Sequence, residues 1–356
     1  MPQKTILLMA GGTGGHVFPA LAIAESLKKQ GIYVCWLGTQ KGLEARVVPN
    51  ANIDIHYISI TGLRGKGLFS LFLAPFKILR AIWQAINILK SVRPNAVVGM
   101  GGFVTGPGGI AARILRIPVL IHEQNAIAGL TNRWLARIAT QVMTAFPNTF
   151  PEKYHPIYTG NPLRADILAL GEKRVFTSET LHILIFGGSL GAQALNETVP
   201  SALLKIGKNI EVWHQVGESH IEIMQNAYET ATFPTKIVAF IEDMATAYAW
   251  ADLVICRSGA LTISELAQAG IPSILVPYPH AVDDHQTQNA KFLSEQEGAI
   301  LLPQTQLTSD KLADLIQQLM SNPQRLQKMA DATKHCAKPD AVTQVMTLIM
   351  QHTHSL

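Results

Sequence analysis

Imidazoles, carboxylates and amides gather at the ends of apolar runs in this sequence, and glycines stand directly before helical patterns. In GGTGGH, residues 11–16, the two combine, since four glycines and Thr13 lead straight to His16. HEQNAIAG, 122–129, sets His122, Glu123, Gln124 and Asn125 at a strand end, as a sugar-binding or acid–base cluster would require. Asn125 has a second reading there, as the cap of a following helix. SGALTISE, 258–265, offers Ser258 or Thr262 as a helix cap and N–H groups for a diphosphate. Glu265, one turn in, is either an acceptor for a ribose diol or a solvated first-turn carboxylate favoured by the dipole. PHAVDDHQTQNA, 279–290, collects His280, Asp283, Asp284, His285, Gln286 and Asn289. A metal assignment there is disfavoured, because no HxxxH or HxH pair falls on a definable helix face and no Asp-x-Asp occurs.

The glycines narrow the chemistry further. A single glycine after a strand often only permits a tight turn. Here GGTGGH, GMGGFVTGPGG and FGGSLGA, together with RSGALTISE, all follow strand-like runs and precede helical patterns. That repetition favours anion binding at helix starts, with phosphate as the expected guest. GGTGGH lacks the Lys and Ser/Thr of a Walker A loop. The third glycine of GxGxxG is replaced by Val17 and Val104, so ATPase and dinucleotide readings both weaken.

Positioning such loops requires alternating strands and helices. Strand-like runs occur at 5–10, 34–37, 96–100, 119–122, 181–186, 211–215, 253–256 and 273–276, with helical patterns between most of them, which predicts a parallel sheet with crossover helices. KTILLMAGGTGGH at 4–16 is echoed by LHILIFGGSLGAQ at 181–193, and 96–125 is echoed by 252–286. The expected fold is therefore α/β, two Rossmann-like doubly wound domains facing across a cleft. A length of 356 residues suits two domains. Prolines 147, 151, 156 and 162 mark 146–164 as a linker rather than a helix.

Composition limits the partners. Cys35, Cys256 and Cys336 form no CxxC pair, so no disulfide framework or zinc site is expected, and no secretory signal is expected from the first residues. Residues 1–163 hold 16 basic against 5 acidic residues, a balance of +11, while 164–356 hold 13 against 20, or −7. Residues 55–122 contain eight basic residues and no acidic one. Within them, 62–90 is too interrupted to span a bilayer, but Phe69, Phe72 and Phe76 lie among Lys66, Lys77 and Arg80, as suits an anionic membrane surface. Nucleic acid is not an expected partner, because the aromatics are not interleaved with polar, base-facing residues.

The motifs GGTGGHVFPALA, WLGT, GLRGKG, GMGGFVTGPGG, HEQN, GLTN, GNPLR, FGGSLGA, the stretch AYAWADLVICRSGALTISELAQAGIPSILVPYP, and HQTQNA occur in order over nearly the whole chain. In this set the chain resembles the MurG family of bacterial peptidoglycan N-acetylglucosaminyltransferases, of the GT-B fold and glycosyltransferase family 28. The resemblance implies inverting transfer of N-acetylglucosamine from UDP-N-acetylglucosamine to the 4-hydroxyl of the N-acetylmuramoyl-pentapeptide on undecaprenyl diphosphate, turning lipid I into lipid II. It implies an acceptor-binding, membrane-associating domain at 1–163, a donor domain at 164–340, and a helix at 341–356 packing back towards the first domain. The implied donor contacts are Thr13, Gly14, Gly15, Asn125, Arg164, Ser189, Ile241 near the uracil, Ala260, Leu261, Thr262, Ile263, Ser264 and Glu265 for diphosphate and ribose, and Gln286 for the sugar. Acceptor diphosphate loops would use Gly101, Gly102, Thr105 and Gly106. Leu190 stands where the family commonly has Gln, and the loop 280–286 is one residue longer than in some relatives, which leaves His285 and Gln286 as alternatives for one role.

An inverting displacement needs a base for the acceptor hydroxyl and stabilisation of departing UDP. Imidazole exchanges a proton near neutral pH, so His16 is the first candidate base and Glu123 the second, with a structural His16 as the competing account. No cofactor is required, and a divalent cation would find no dedicated site. The expected location is peripheral, on the cytoplasmic face of the inner membrane, with a cell-wall synthesis complex as a further partner. Rival readings are a UDP-N-acetylglucosamine 2-epimerase, a diacylglycerol glycosyltransferase and a noncatalytic nucleotide-dependent scaffold.

Overall fold

The computed structural model describes residues 3–60, 73–171, 176, 179–188 and 191–353. Ser189, Lys66, Phe69 and Phe72, expected above to bind donor or membrane, lie outside the described residues. Two compact units are present, one of Met1–Arg164 with Pro339–Leu356, the other of Ala165–Lys338.

Among the described residues the first unit carries seven parallel strands in the order β3-β2-β1-β4-β5-β6-β7. These are β1 Thr5–Ala10, β2 Tyr33–Gly38, β3 Asp54–Tyr57, β4 Ala96–Gly101, β5 Val119–Glu123, β6 Gln141–Thr144 and β7 Ile157–Tyr158. Helices cover both faces, so the central strands are apolar throughout rather than alternating. Ile6, Leu8 and Ala10 of β1 pack on one side with Val17, Ile23 and Leu27 of helix Gly14–Lys29. Leu7 and Met9 face the other side with Ala81, Ala85 and Leu89 of helix Ala74–Val92. The C-terminal helix Ala341–Gln351 adds Val345, Met346 and Ile349 to the first of these cores, and full burial of each contributes roughly 2 kcal/mol.

Two expectations about this region are corrected. Residues 146–164 are not simply a linker, since Ile157–Tyr158 pairs with Met143 and Thr144 as the seventh strand. The prolines there confine pairing to two residues at the sheet edge, where a missing N–H costs least. Arg164, expected to open the second domain, belongs to the first, its guanidinium 6.0 Å from the Phe18 ring centroid.

The second unit repeats the scheme with six parallel strands in the order β10-β9-β8-β11-β12-β13. They are β8 Leu181–Phe186, β9 Ile210–Gln215, β10 Thr235–Val238, β11 Leu253–Cys256, β12 Ser273–Leu275 and β13 Ala299–Leu301. In each sheet the strand order reverses beside the first strand, between β1 and β4 and between β8 and β11. Ligands of doubly wound sheets bind beyond the carboxyl ends at that switch point, and the glycine loops follow those ends.

Candidate active site

In the first unit the loop after β1 is held from below by a buried carboxylate. Glu44, fully buried, accepts from the Gly12 N–H at 3.0 Å, the Thr39 N–H at 2.9 Å and the Thr39 hydroxyl at 2.7 Å. A Cβ on Gly11 would come within 2.7 Å of that carboxylate, and one on Gly42 within 2.0 Å, so the glycines make room for it. The loop after β4 then packs backbone to backbone on the first. Gly102 has φ +85, and a Cβ there would lie 2.2 Å from the Gly11 carbonyl oxygen. Beneath the His16 ring sits Gly101, φ +109, where a Cβ would be 2.6 Å from Nδ1.

Helix Gly14–Lys29 begins with Thr13 as its N-cap, which makes no side-chain cap bond. The first-turn N–H groups of a helix lack intrahelical partners, and Thr13 is exposed while Gly14, Gly15 and His16 are half-buried. Helix Thr105–Ile114 follows the second glycine loop, with Val104 as its N-cap and no side-chain cap bond. Thr105 itself is turned inward, fully buried, with its hydroxyl against the carbonyls of Gly101 at 2.7 Å and Met9 at 3.2 Å. The Thr105 hydroxyl is therefore committed within the protein, and only its backbone is left to face the loop.

The HEQN residues at the end of β5 divide into two networks. Glu123, 2% exposed, accepts on Oε1 from the Asn125 backbone N–H at 3.1 Å and side-chain amide at 3.2 Å, and on Oε2 from the Gly129 N–H at 3.0 Å and Asn132 Nδ2 at 2.9 Å. Four donors occupy its two oxygens. Asn125 caps no helix, because the next one starts at Leu130 with Gly129 as N-cap.

The second network runs from Gly160 of GNPLR to His16. His122, fully buried, has Nε2 3.0 Å from the Gly160 carbonyl; its Nδ1 is 3.0 Å from Gln124 Nε2, which also lies 3.2 Å from the His122 carbonyl. Gln124 Oε1 is 2.8 Å from His16 Nδ1. Burial lowers the His122 pKa to about 4, partly offset by the Gly160 bond and the Glu123 charge, so it is neutral near pH 7. Asn161 Nδ2 donates to the Gln124 carbonyl at 3.2 Å, tying GNPLR to HEQN.

In the second unit, helix Ala260–Ala269 opens with Gly259 as N-cap. Neither Ser258 nor Thr262 caps it, since extended Gly259 takes that position, and Ser258 is buried. Glu265 is not a solvated first-turn carboxylate: it lies in the second turn, 8% exposed, with the Tyr248 hydroxyl donating to Oε2 at 2.9 Å. Asn289 Nδ2 donates to the Ser258 carbonyl at 3.2 Å and so holds the loop before the helix. Gln286 Oε1 accepts from the Tyr278 N–H at 2.9 Å, and His285 Nδ1 is 2.7 Å from the Val282 carbonyl. Ile241, 5% exposed, follows the exposed Phe240 beyond the end of β10. Among the described residues no group of three His, Cys, Asp or Glu side chains gathers in a way that could hold a metal ion.

Glu44, Tyr248 and Arg257 were not picked out by sequence reasoning. Arg257, beside the glycine loop, spends its guanidinium on the carbonyls of Val276 and Pro277, both at 3.1 Å, and on Gln304 Oε1 at 2.8 Å. For Glu44 a signal exists, one of only five acids in a strongly basic half, two residues after Gly42.

Both units match models of one family. The glycosyltransferase family 28 N-terminal domain covers residues 6–144 and its C-terminal domain residues 182–345. The chain belongs to glycosyltransferase family 28. Within it, the chain is 47% identical over 351 residues to the UDP-N-acetylglucosamine–N-acetylmuramyl-(pentapeptide) pyrophosphoryl-undecaprenol N-acetylglucosamine transferase of Pseudomonas fluorescens, spanning 98% of this chain and 99% of that one. A crystal structure of MurG from Acinetobacter baumannii superposes with a TM-score of 0.85 at 46% identity, covering 98% and 99% of the two chains. The fold of this family 28 glycosyltransferase is GT-B. The UDP-GlcNAc 2-epimerase of Neisseria meningitidis, TM-score 0.69 at 13% identity over 98% and 100% of the chains, shares the fold alone.

Proposed function

We propose that this family 28 transferase moves N-acetylglucosamine from UDP-N-acetylglucosamine to the 4-hydroxyl of the N-acetylmuramoyl-pentapeptide carried on undecaprenyl diphosphate, inverting the anomeric centre. The observation that carries the reading is the near-complete overlap with the Pseudomonas fluorescens enzyme, whose name specifies this acceptor lipid and this sugar.

His16 is the base. Glu123, the alternative, has four donors on its carboxylate, so it acts by shaping the loop that carries Gln124 and Asn125. The acceptor diphosphate is held by backbone amides of the loop around Gly101, Gly102, Thr105 and Gly106, while Thr13, Gly14 and Gly15 contact the donor. The donor diphosphate meets the start of helix Ala260–Ala269, where dipole and amides stabilise the charge of departing UDP. Glu265, oriented by Tyr248, accepts from the ribose; Gln286 and Asn125 contact the sugar, and Arg164 adds a cation. Ile241 and the exposed ring of Phe240 border the uracil.

The enzyme works from the membrane surface. Helix Ala74–Val92 buries Ala74, Ala81, Ala85 and Leu89 and exposes Phe76, Leu79 and Trp83, with Lys77 and Arg80 beside them. Apolar side chains spaced on one helix face and flanked by cations suit insertion at an anionic interface. The association proposed is peripheral, on the cytoplasmic leaflet; among the described residues no helix is long and apolar enough to cross a membrane.

The test is a transfer assay with UDP-N-acetylglucosamine and a lipid I analogue, run with and without EDTA. Formation of the disaccharide lipid is expected. Epimerised nucleotide sugar formed without acceptor, or transfer to diacylglycerol instead, would overturn the reading; the EDTA arm reports any dependence on a divalent cation.

A further inference from the structure

Resting on His16 as the base, we infer that Gln124, His122 and the Gly160 carbonyl form a one-way hydrogen-bond chain that holds His16 in its Nδ1–H tautomer and leaves the Nε2 lone pair to the acceptor hydroxyl. Gln124 and His122 are positioning residues in this scheme, since neither meets the substrate.

The direction of the chain is set at its far end. A carbonyl only accepts, so His122 Nε2, 3.0 Å from Gly160 O, carries the hydrogen. Deep burial keeps His122 neutral near pH 7, which leaves its Nδ1 as a bare acceptor. The end group of Gln124 then faces two acceptors, that Nδ1 at 3.0 Å and the His122 carbonyl at 3.2 Å. Only the amide NH2 satisfies both; a flipped amide would set its oxygen against two lone pairs. Oε1 is therefore the atom 2.8 Å from His16 Nδ1, and that nitrogen must donate. Gly101 beneath the ring and Asn161 on the Gln124 carbonyl hold the two ends in register.

The chain is made of neutral groups, which separates it from a histidine–carboxylate pair. An amide orients the imidazole without adding a negative charge beside it, so its contribution is choice of tautomer. Free histidine in water prefers the opposite tautomer, with the hydrogen on Nε2, where it could not accept a proton. In the transfer step the acceptor 4-hydroxyl gives its proton to His16 Nε2, and the oxygen's electron pair forms the bond to the anomeric carbon. The bond from that carbon to the diphosphate breaks, and its pair leaves on UDP. His16 ends as an imidazolium, its Nδ1–H still on Gln124.

Nitrogen-15 NMR of the full-length protein labelled at histidine tests this directly, the His16 signals being identified by their loss in His16→Ala. The expected pattern at pH 8 is a protonated Nδ1 and a bare Nε2; the reverse pattern overturns the proposal without any further variant. In Gln124→Leu the hydrogen should shift to Nε2 and kcat should fall about 10-fold, less than loss of the whole base, with KM for UDP-N-acetylglucosamine unchanged. His122→Phe should do less, because the backbone carbonyl of residue 122 still accepts from Gln124. An unchanged tautomer and kcat in Gln124→Leu would also overturn it. The outcome stays separable from the base assignment: near-normal turnover in His16→Ala removes that reading, whereas the wild-type spectrum judges the chain by itself.

Discussion

Both units press a left-handed glycine onto a neighbouring carbonyl, but from different loops, the one after β4 in the first unit and the one after β8 in the second. In the first unit Gly102 presses on the Gly11 carbonyl, and in the second Gly191, φ +76, presses on the Val216 carbonyl, each leaving a Cβ only 2.2 Å from oxygen. Buried Glu44 braces the first turn through Gly12 N–H; the second is braced by Gln215, whose Oε1 accepts from Gly187 N–H at 3.3 Å. The larger difference lies one strand further out. The end of β5 delivers a histidine–amide–histidine chain to the first loop, whereas the second unit meets its loop with a helix start and a Tyr248–Glu265 pair. On the proposed reading one scaffold would serve proton transfer in one unit and charge and hydroxyl recognition in the other, because the scaffold determines only where strand ends point.

The comparison breaks most visibly at the glycines. Gly102→Ala and Gly191→Ala should each cost roughly 3 kcal/mol, combining left-handed strain with backbone overlap. Gly188→Ala, φ +96 but in open space, should cost about 1 kcal/mol; urea unfolding reads all three, and equal losses would deny the shared device. Next in size, His16→Ala should lower kcat about 100-fold with donor affinity kept. Glu265→Gln should behave oppositely, weakening UDP binding about tenfold, or ~1.4 kcal/mol, while the His16 tautomer signal persists; calorimetry with UDP separates the two.

Acidification acts on both units, since among the described residues each buries one neutral histidine. His122 is lowered to about 4 and His214 to about 3, in both cases chiefly by desolvation. A depressed histidine contributes its full stability above the ordinary value near 6.5 and loses it as pH falls towards the folded value. Stability should therefore drop by roughly 1 kcal/mol per pH unit for each histidine below about pH 6.5. His214→Phe should remove one share of that slope in urea titrations at pH 7, 6 and 5. The smallest effect on the soluble reaction is expected from serine at Phe76, Leu79 and Trp83 together, which should release the protein from anionic vesicles while UDP binding is unchanged; undiminished sedimentation with vesicles would count against the membrane face.

Eight of the described strands, the glycine loops and their duplication were legible in the sequence, because side-chain period and turn chemistry are local properties of a few residues; β3, β6, β7, β10 and β13, only two to four residues long, carry too little pattern to be read. The sequence also marked HEQN and SGALTISE as sites, each standing at a strand end. What those side chains do was decided only in three dimensions. The partner of Gln124 lies 108 residues away at His16, and the Glu44 that braces Gly12 lies 32 away. Glu123 stands in the sequence as the second candidate base, yet Asn132, Gly129 and Asn125 occupy both its oxygens; Glu265 admits two readings there, and its burial beneath the Tyr248 hydroxyl removes the solvated one. Spacing along a chain tells which groups stand at a strand end; which lone pairs remain for a substrate depends on neighbours that only packing brings within 3 Å.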